Sequence, residues 1–86
     1  MAEYHVTFAR SARKELESLD AALIARIFPR IERLARNPRP VNSIKVKGQG
    51  ALWRIRVGDY RVIYSVDDRN RIVDIVAVRH RRDAYR

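Results

Sequence analysis

The stretch Trp53-Arg54-Ile55-Arg56-Val57-Gly58-Asp59-Tyr60-Arg61-Val62-Ile63-Tyr64 decides the reading of this chain. Trp53, Ile55 and Val57 alternate with Arg54 and Arg56, the period of a strand with one buried face. Gly58-Asp59 between two such runs fits a two-residue hairpin turn of type II′, with glycine at its first position. That loop length pairs Val57 with Tyr60, Arg56 with Arg61, Ile55 with Val62 and Arg54 with Ile63. Arg54, Arg56 and Arg61 then share one face, with Arg56 directly opposite Arg61. Like charges opposed across strands are destabilising, so the pattern calls for an anion, and a phosphate backbone is the natural one. Trp53, Tyr60 and Tyr64 fall on the other face and are expected in the core.

Working toward the N-terminus, Tyr4–Phe8 alternates as a first strand. Ser11 is a plausible N-cap for a helix with Ala12, Leu16 and Leu19 on one face, and Asp20 for a second helix carrying Leu23, Ile27, Ile31 and Leu34. Pro29 lies inside that second pattern, cannot donate to the carbonyl of Ala25, and should kink or split the helix. Asn37-Pro38-Arg39-Pro40 ends it. After residue 42 the period becomes two, with Ser43–Lys47 as a short strand before the hairpin. Asp67-Asp68-Arg69-Asn70 marks another turn. The almost wholly apolar run Ile72–Val78 suits an interior strand.

The order β-α-α-β-β-β gives an α+β fold. Two N-terminal helices pack on one face of a small, mainly antiparallel sheet of four to five strands, and the arginines occupy the other face. No linker or repeat breaks the sequence, so residues 1–86 are expected to form one domain.

Composition narrows the function. Nineteen basic residues against ten acidic give a net charge of +9, and all but three of the nineteen are arginine. A charge of this size favours nucleic acid or acidic proteins as partners, and a planar guanidinium suits phosphate better than an ammonium does. The absence of cysteine removes thiol and disulfide chemistry. His5 and His80 lie too far apart in sequence for a recognised metal-ligand spacing, so neither metal nor cofactor is expected. Met1–His5 lacks the apolar core of a signal peptide, and no run approaches a membrane span. The expected setting is cytoplasmic, away from membranes.

Phe8-Ala9-Arg10-Ser11-Ala12-Arg13-Lys14-Glu15-Leu16, the second helix ending in Asn37-Pro38, Gly58–Tyr64 and the ending Val78-Arg79-His80-Arg81-Arg82-Asp83-Ala84-Tyr85-Arg86 together resemble the RelE/ParE superfamily of type II toxins. The terminal motif is most similar to the RelE branch. That resemblance implies a ribosome-dependent, metal-independent endoribonuclease that cuts messenger RNA in the ribosomal A site. It also implies a cognate acidic, RelB-like antitoxin, with operator DNA bound only through the toxin–antitoxin complex. A ParE-type gyrase inhibitor and an inactive basic nucleic-acid-binding relic are the alternatives.

By resemblance, Arg54 and Arg56 match the two basic positions of the catalytic strand and Arg61 the phosphate-binding arginine. Arg81 matches the arginine serving the leaving group, and Tyr85 the tyrosine that orients the substrate. Well-known RelE-type enzymes carry lysines where this chain has Arg54 and Arg56. Arginine stabilises phosphate charge but is a poor base. Lys47, with Lys45 on the same strand, and His80 are therefore the candidates for proton transfer. The rival reading of His80 is a simple hydrogen bond at the strand end. Two turn lengths remain open before the last strand. A three-residue turn places Arg79 and Arg81 on the Arg61 face, and a four-residue turn from Asp67 to Asn70 places His80 and Arg82 there.

Overall fold

A computed structural model describes residues 3–48 and 50–82. Its elements run β1 (His5–Phe8), α1 (Arg10–Glu17), α2 (Ala21–Arg33), β2 (Ile44–Lys45), β3 (Leu52–Val57), β4 (Tyr60–Asp67) and β5 (Ile72–His80). The five strands form one sheet in the order β1-β5-β4-β3-β2. β1 runs parallel to β5, and every other pair is antiparallel. This is the expected α+β arrangement.

Alternation within the strands divides the sheet into two unlike surfaces. Ile55, Val57, Val62, Tyr64, Val73, Ile75 and Val78 enter one buried cluster with Ala12 and Leu16 of α1, Ile27 and Ile31 of α2, and Leu34 just beyond it. Trp53 and Tyr60 pack against that cluster, and the Tyr64 hydroxyl donates to the carbonyl of Pro38 at 2.7 Å. The helices therefore cover the face that carries the aromatic residues, and the arginine positions of β3 and β4 face away from them.

Asp20 caps α2 as expected, accepting from the Leu23 amide at 3.0 Å. The start of α1 corrects the sequence reading: its N-cap is Ala9, without a side-chain cap, rather than Ser11. The Ala9 amide donates to the carbonyl of Ile75 at 2.8 Å, so the chain leaves the sheet at Ala9 and turns directly into the helix. Sheet pairing, rather than a capping hydroxyl, sets the boundary.

Pro29 does not split α2, which is continuous through it. Both Pro29 and Ala25 lie on the exposed side of the helix, where water can satisfy the Ala25 carbonyl that proline leaves without a donor. The strand expected over Ser43–Lys47 is shorter, Ile44–Lys45, and lies at the sheet edge.

At the far end of the sheet the loop after α2 is tied to the β4–β5 turn. Arg39 grips both carboxylate oxygens of Asp68, at 3.2 and 2.8 Å, and the Tyr4 hydroxyl donates to Asp68 at 2.6 Å. The Arg39 guanidinium also lies 5.3 Å from the centre of the Trp53 ring, within cation–π range.

Candidate phosphate-binding face

The hairpin register matches the parity argument residue for residue: Val57 pairs with Tyr60, Arg56 with Arg61, Ile55 with Val62 and Arg54 with Ile63. Gly58 has φ +59°, and Arg71 is the only non-glycine at positive φ among the described residues. Asp59 thus keeps a negative φ, the pattern of a type II′ turn. The turn is also approached closely from the helix side. A Cβ at Gly58 would stand 3.1 Å from a terminal nitrogen of Arg26, which reaches over the turn from α2.

The loop before the last strand has four residues, one of the two expected lengths, but lies one residue further on than expected, and a bulge reverses the parity it would give. Asp67 pairs with Ile72, so the loop is residues 68–71. That register places Tyr64 opposite Ile75. A shift between Ile63 and Tyr64 then skips Val76, so that Ile63 pairs with Ala77 and Arg61 with Arg79. This is a β-bulge, one extra residue in one strand, and it exchanges the two faces of β5 beyond it. The outcome is the one a three-residue turn would have produced, with Arg79 and Arg81 at positions facing the arginine side. The ladder continues past the strand end through the Arg81 amide, which donates to the Asp59 carbonyl at 2.7 Å.

Two open cavities of about 330 Å³ each occupy the arginine face. The first lies at the hairpin tip and is lined by Arg56, Gly58, Asp59, Arg61, Arg81 and Arg82. The second lies toward the sheet edge and includes Lys45, Lys47, Arg54 and Arg61 in its lining. Arg61 is common to both and is only 4% exposed, so it forms the floor between them. Four guanidinium groups around one cavity make an anion site by charge alone, and their planar forks suit phosphate oxygens.

The other expected site residues are placed elsewhere. Arg79 stands opposite Arg61, but its Nε donates to Glu15 at 3.1 Å, and the second Glu15 oxygen accepts from the Val78 amide at 2.9 Å. It lines neither cavity. His80 pairs with Tyr60 and meets its ring edge-on at 5.3 Å. It lines a cleft on the helix side with Arg26 and Ile27, and its Nδ1 accepts from the Arg82 amide at 3.3 Å. The structure does not bring His80 to the arginine face, because one-residue alternation sends it the other way from Arg79 and Arg81. Tyr85 lies outside the described residues.

Asp59 lines the first cavity although the sequence reading took it for a turn residue alone. The signal was present in the turn itself, since a two-residue loop carries its second side chain beside the end of the adjoining strand. Among the described residues no three His, Cys, Asp or Glu side chains come together as a metal-binding group. No described helix is long and apolar enough to cross a membrane.

Comparison with known proteins places this geometry in context. The family described as ParE toxin of type II toxin-antitoxin system, parDE, matches residues 6–85. Toxin RelG of Mycobacterium tuberculosis is 32% identical over 84 residues, covering 96% of this chain and 97% of that protein. Toxin RelE of the same organism is 31% identical over 87 residues, covering 96% of this chain and 87% of its own length. Among solved structures, the archaeal RelE–RelB complex from Pyrococcus horikoshii superposes with a TM-score of 0.80 at 34% identity. That match covers 92% of this chain and 96% of that one.

Proposed function

The chain belongs to the RelE/ParE superfamily of type II toxin–antitoxin toxins, near its RelE branch, and we propose that it is a ribosome-dependent messenger RNA endonuclease. The single observation that carries this reading is the cavity ringed by Arg56, Arg61, Arg81 and Arg82. Guanidiniums set opposite one another across strands repel, and a phosphate between them offsets that repulsion.

Cleavage proceeds by attack of a ribose 2′-oxygen on the adjacent phosphorus, which expels the 5′-oxygen of the next nucleotide and leaves a 2′,3′-cyclic phosphate. Excess negative charge grows on the non-bridging oxygens, where Arg56 and Arg61 stabilise it; such preorganised donors act most strongly on charge that develops in the transition state. Arg54, in the adjoining cavity, holds the strand beside them. Arg81, by its similarity to the family position, stands beside the leaving oxygen. Arginine does not titrate in the working range and His80 lies across the sheet, so proton transfer falls to Asp59 and Lys47, which line the two cavities. The 2′-oxygen loses its proton and the 5′-oxygen gains one, and these are the titratable side chains that border the reacting phosphate. Arg82 and Lys45 contribute field and strand contacts, and Tyr85 orients the base. A RelB-like antitoxin is the partner that holds the toxin inactive, as the Pyrococcus complex suggests.

Primer extension on a defined messenger RNA, with and without programmed ribosomes, tests the proposal. Cuts at A-site codons only with ribosomes, abolished by Arg61→Ala and Arg81→Ala, are the expected result. The match to the ParE family profile supports a second reading, inhibition of DNA gyrase. A folded, growth-arresting protein that leaves messenger RNA intact and blocks supercoiling would establish that reading instead.

A further inference from the structure

The arginine face is built of two unlike rows. Cross-strand pairing sets Arg56, Arg61 and Arg79 in one line across β3, β4 and β5. The neighbouring line, two residues along, runs Ile44, Arg54, Ile63 and Ala77 across β2 to β5. Two residues of strand separate the rows by about 7 Å, roughly the span of one sugar. The first row is cationic throughout, whereas the second sets a guanidinium between two isoleucines.

Apolar side chains thus stand among the arginines and lysines of this face. Ile44 is 53% exposed on the edge strand and contributes nothing to the buried cluster beneath the helices. Ile44, Arg54 and Ile63 all line the second cavity, which Arg61 joins to the first. Its lining among the described residues, completed by Lys45, Val46 and Lys47, contains no carboxylate, amide or hydroxyl side chain.

We propose that the row Ile44–Arg54–Ile63 is a nucleobase platform, which takes the flat face of the base next to the phosphate held at Arg56 and Arg61. The proposal rests on the RNA-cleaving reading and deepens it. A base stacks on a planar group and on aliphatic carbon, and Ile-Arg-Ile offers both. Aromatic side chains are the usual material for such a floor, but every described aromatic belongs to the helix side. Tyr4, Phe8, Trp53, Tyr60 and Tyr64 are in or against the core, and Phe28 lies in α2. With no side-chain acceptor among the described residues of its lining, the platform holds a base without discriminating among base edges. Lys45 and Lys47 supply cations for the neighbouring phosphate. This side of the cleaved bond is therefore tolerant of sequence, with a purine favoured for its larger face.

The test uses the full chain and two non-cleavable probes, a 2′-O-methyl adenine dinucleotide and the same backbone with both bases replaced by hydrogen. NMR follows the isoleucine δ1 methyls and the arginine Nε–H groups. The base-bearing probe should shift the Ile44 and Ile63 methyls upfield by ring current, and the base-less probe should not. Both probes should move the Arg56 and Arg61 signals. Ile44→Ala, at an exposed edge position, should weaken the base-bearing probe about fivefold and leave the base-less probe unchanged. Arginine signals that move while the isoleucine methyls stay fixed would overturn the platform and leave the phosphate site standing. If neither set responds to either probe, the RNA reading falls and the platform with it.

Discussion

The two faces of one hairpin obey opposite rules. On the helix side, Ile55 and Val62 face each other across β3 and β4 and are closed over by α1 and α2, so burial is the stabilising force. On the other side, Arg56 and Arg61 are opposed in the same way, one residue further along, and like charges so placed work against the fold. Both arrangements come from strict alternation, so neither can be altered by slipping the register without exchanging the faces. The chain is stabilised by one surface of the hairpin and carries the opposed arginines on the other. Substitutions should therefore separate stability from activity.

The largest effect is expected for Ile55→Ala, which removes a side chain 1% exposed at the centre of the helix-covered face. Deleting a buried isoleucine to alanine costs about 2–5 kcal/mol, and a chain of 86 residues is stabilised by only on the order of 4–13 kcal/mol. Urea unfolding should show a large fall in midpoint, while cleavage per folded molecule stays near wild type. A proportionate loss of specific activity would mean that the two faces are coupled.

Arg61→Ala should do the reverse. Removing one preorganised donor from developing charge costs about 10²–10³ in rate, read as single-turnover cleavage on programmed ribosomes. Its stability should fall less than that of Ile55→Ala, since Arg61 lies outside the helix-covered apolar cluster and stands opposite the like charge of Arg56. Collapse of the fold in Arg61→Ala would show instead that the buried guanidinium is structural.

That contrast was largely legible in the residues themselves, and the reason is local. A two-residue turn with glycine at its head leaves one register, so the positions of Arg54, Arg56 and Arg61 followed from counting. The last strand was not legible in the same way, because its face depends on a loop length and on a bulge at Val76 that has no compositional mark. The side of His80 stayed open for that reason, decided by a single skipped residue. Ser11 failed as a cap because the Ala9–Ile75 hydrogen bond, a contact distant in sequence, fixes where the helix begins. The Ile44–Arg54–Ile63 row needed the β2–β3 register, which a strand of two residues scarcely announces.

A smaller effect is expected where the helix-side face meets the loop after α2. Tyr64→Phe keeps the ring in the core but removes the donor to the Pro38 carbonyl. A buried acceptor left without its partner costs about 1–3 kcal/mol. Thermal unfolding should detect the loss, and cleavage should not change, because Tyr64 points away from both cavities.

The smallest effect belongs to Asp68, at the end of the sheet remote from the hairpin tip. Hydrogen bonds from Arg39 and then Tyr4 hold its carboxyl down to about 2 from an ordinary value of 3.8. A group whose pKa is depressed by folding contributes stability in full above its unfolded pKa, and that contribution disappears as pH falls through the folded value. The window is therefore pH 4 to 2. Because the carboxylate is solvent-exposed, screening keeps the contribution small. Wild type should lose more of its urea midpoint between pH 5 and pH 2.5 than Asp68→Asn does, with Asp67, also depressed by its bonds to Asn70, supplying part of the remaining slope. At neutral pH the two proteins should cleave alike, because Asp68 anchors the Arg39 loop and touches neither cavity. Should Asp68→Asn slow cleavage at neutral pH, the clasp at the far end of the sheet would be shaping the arginine face, and the separation between the surfaces would not hold along the length of the strands.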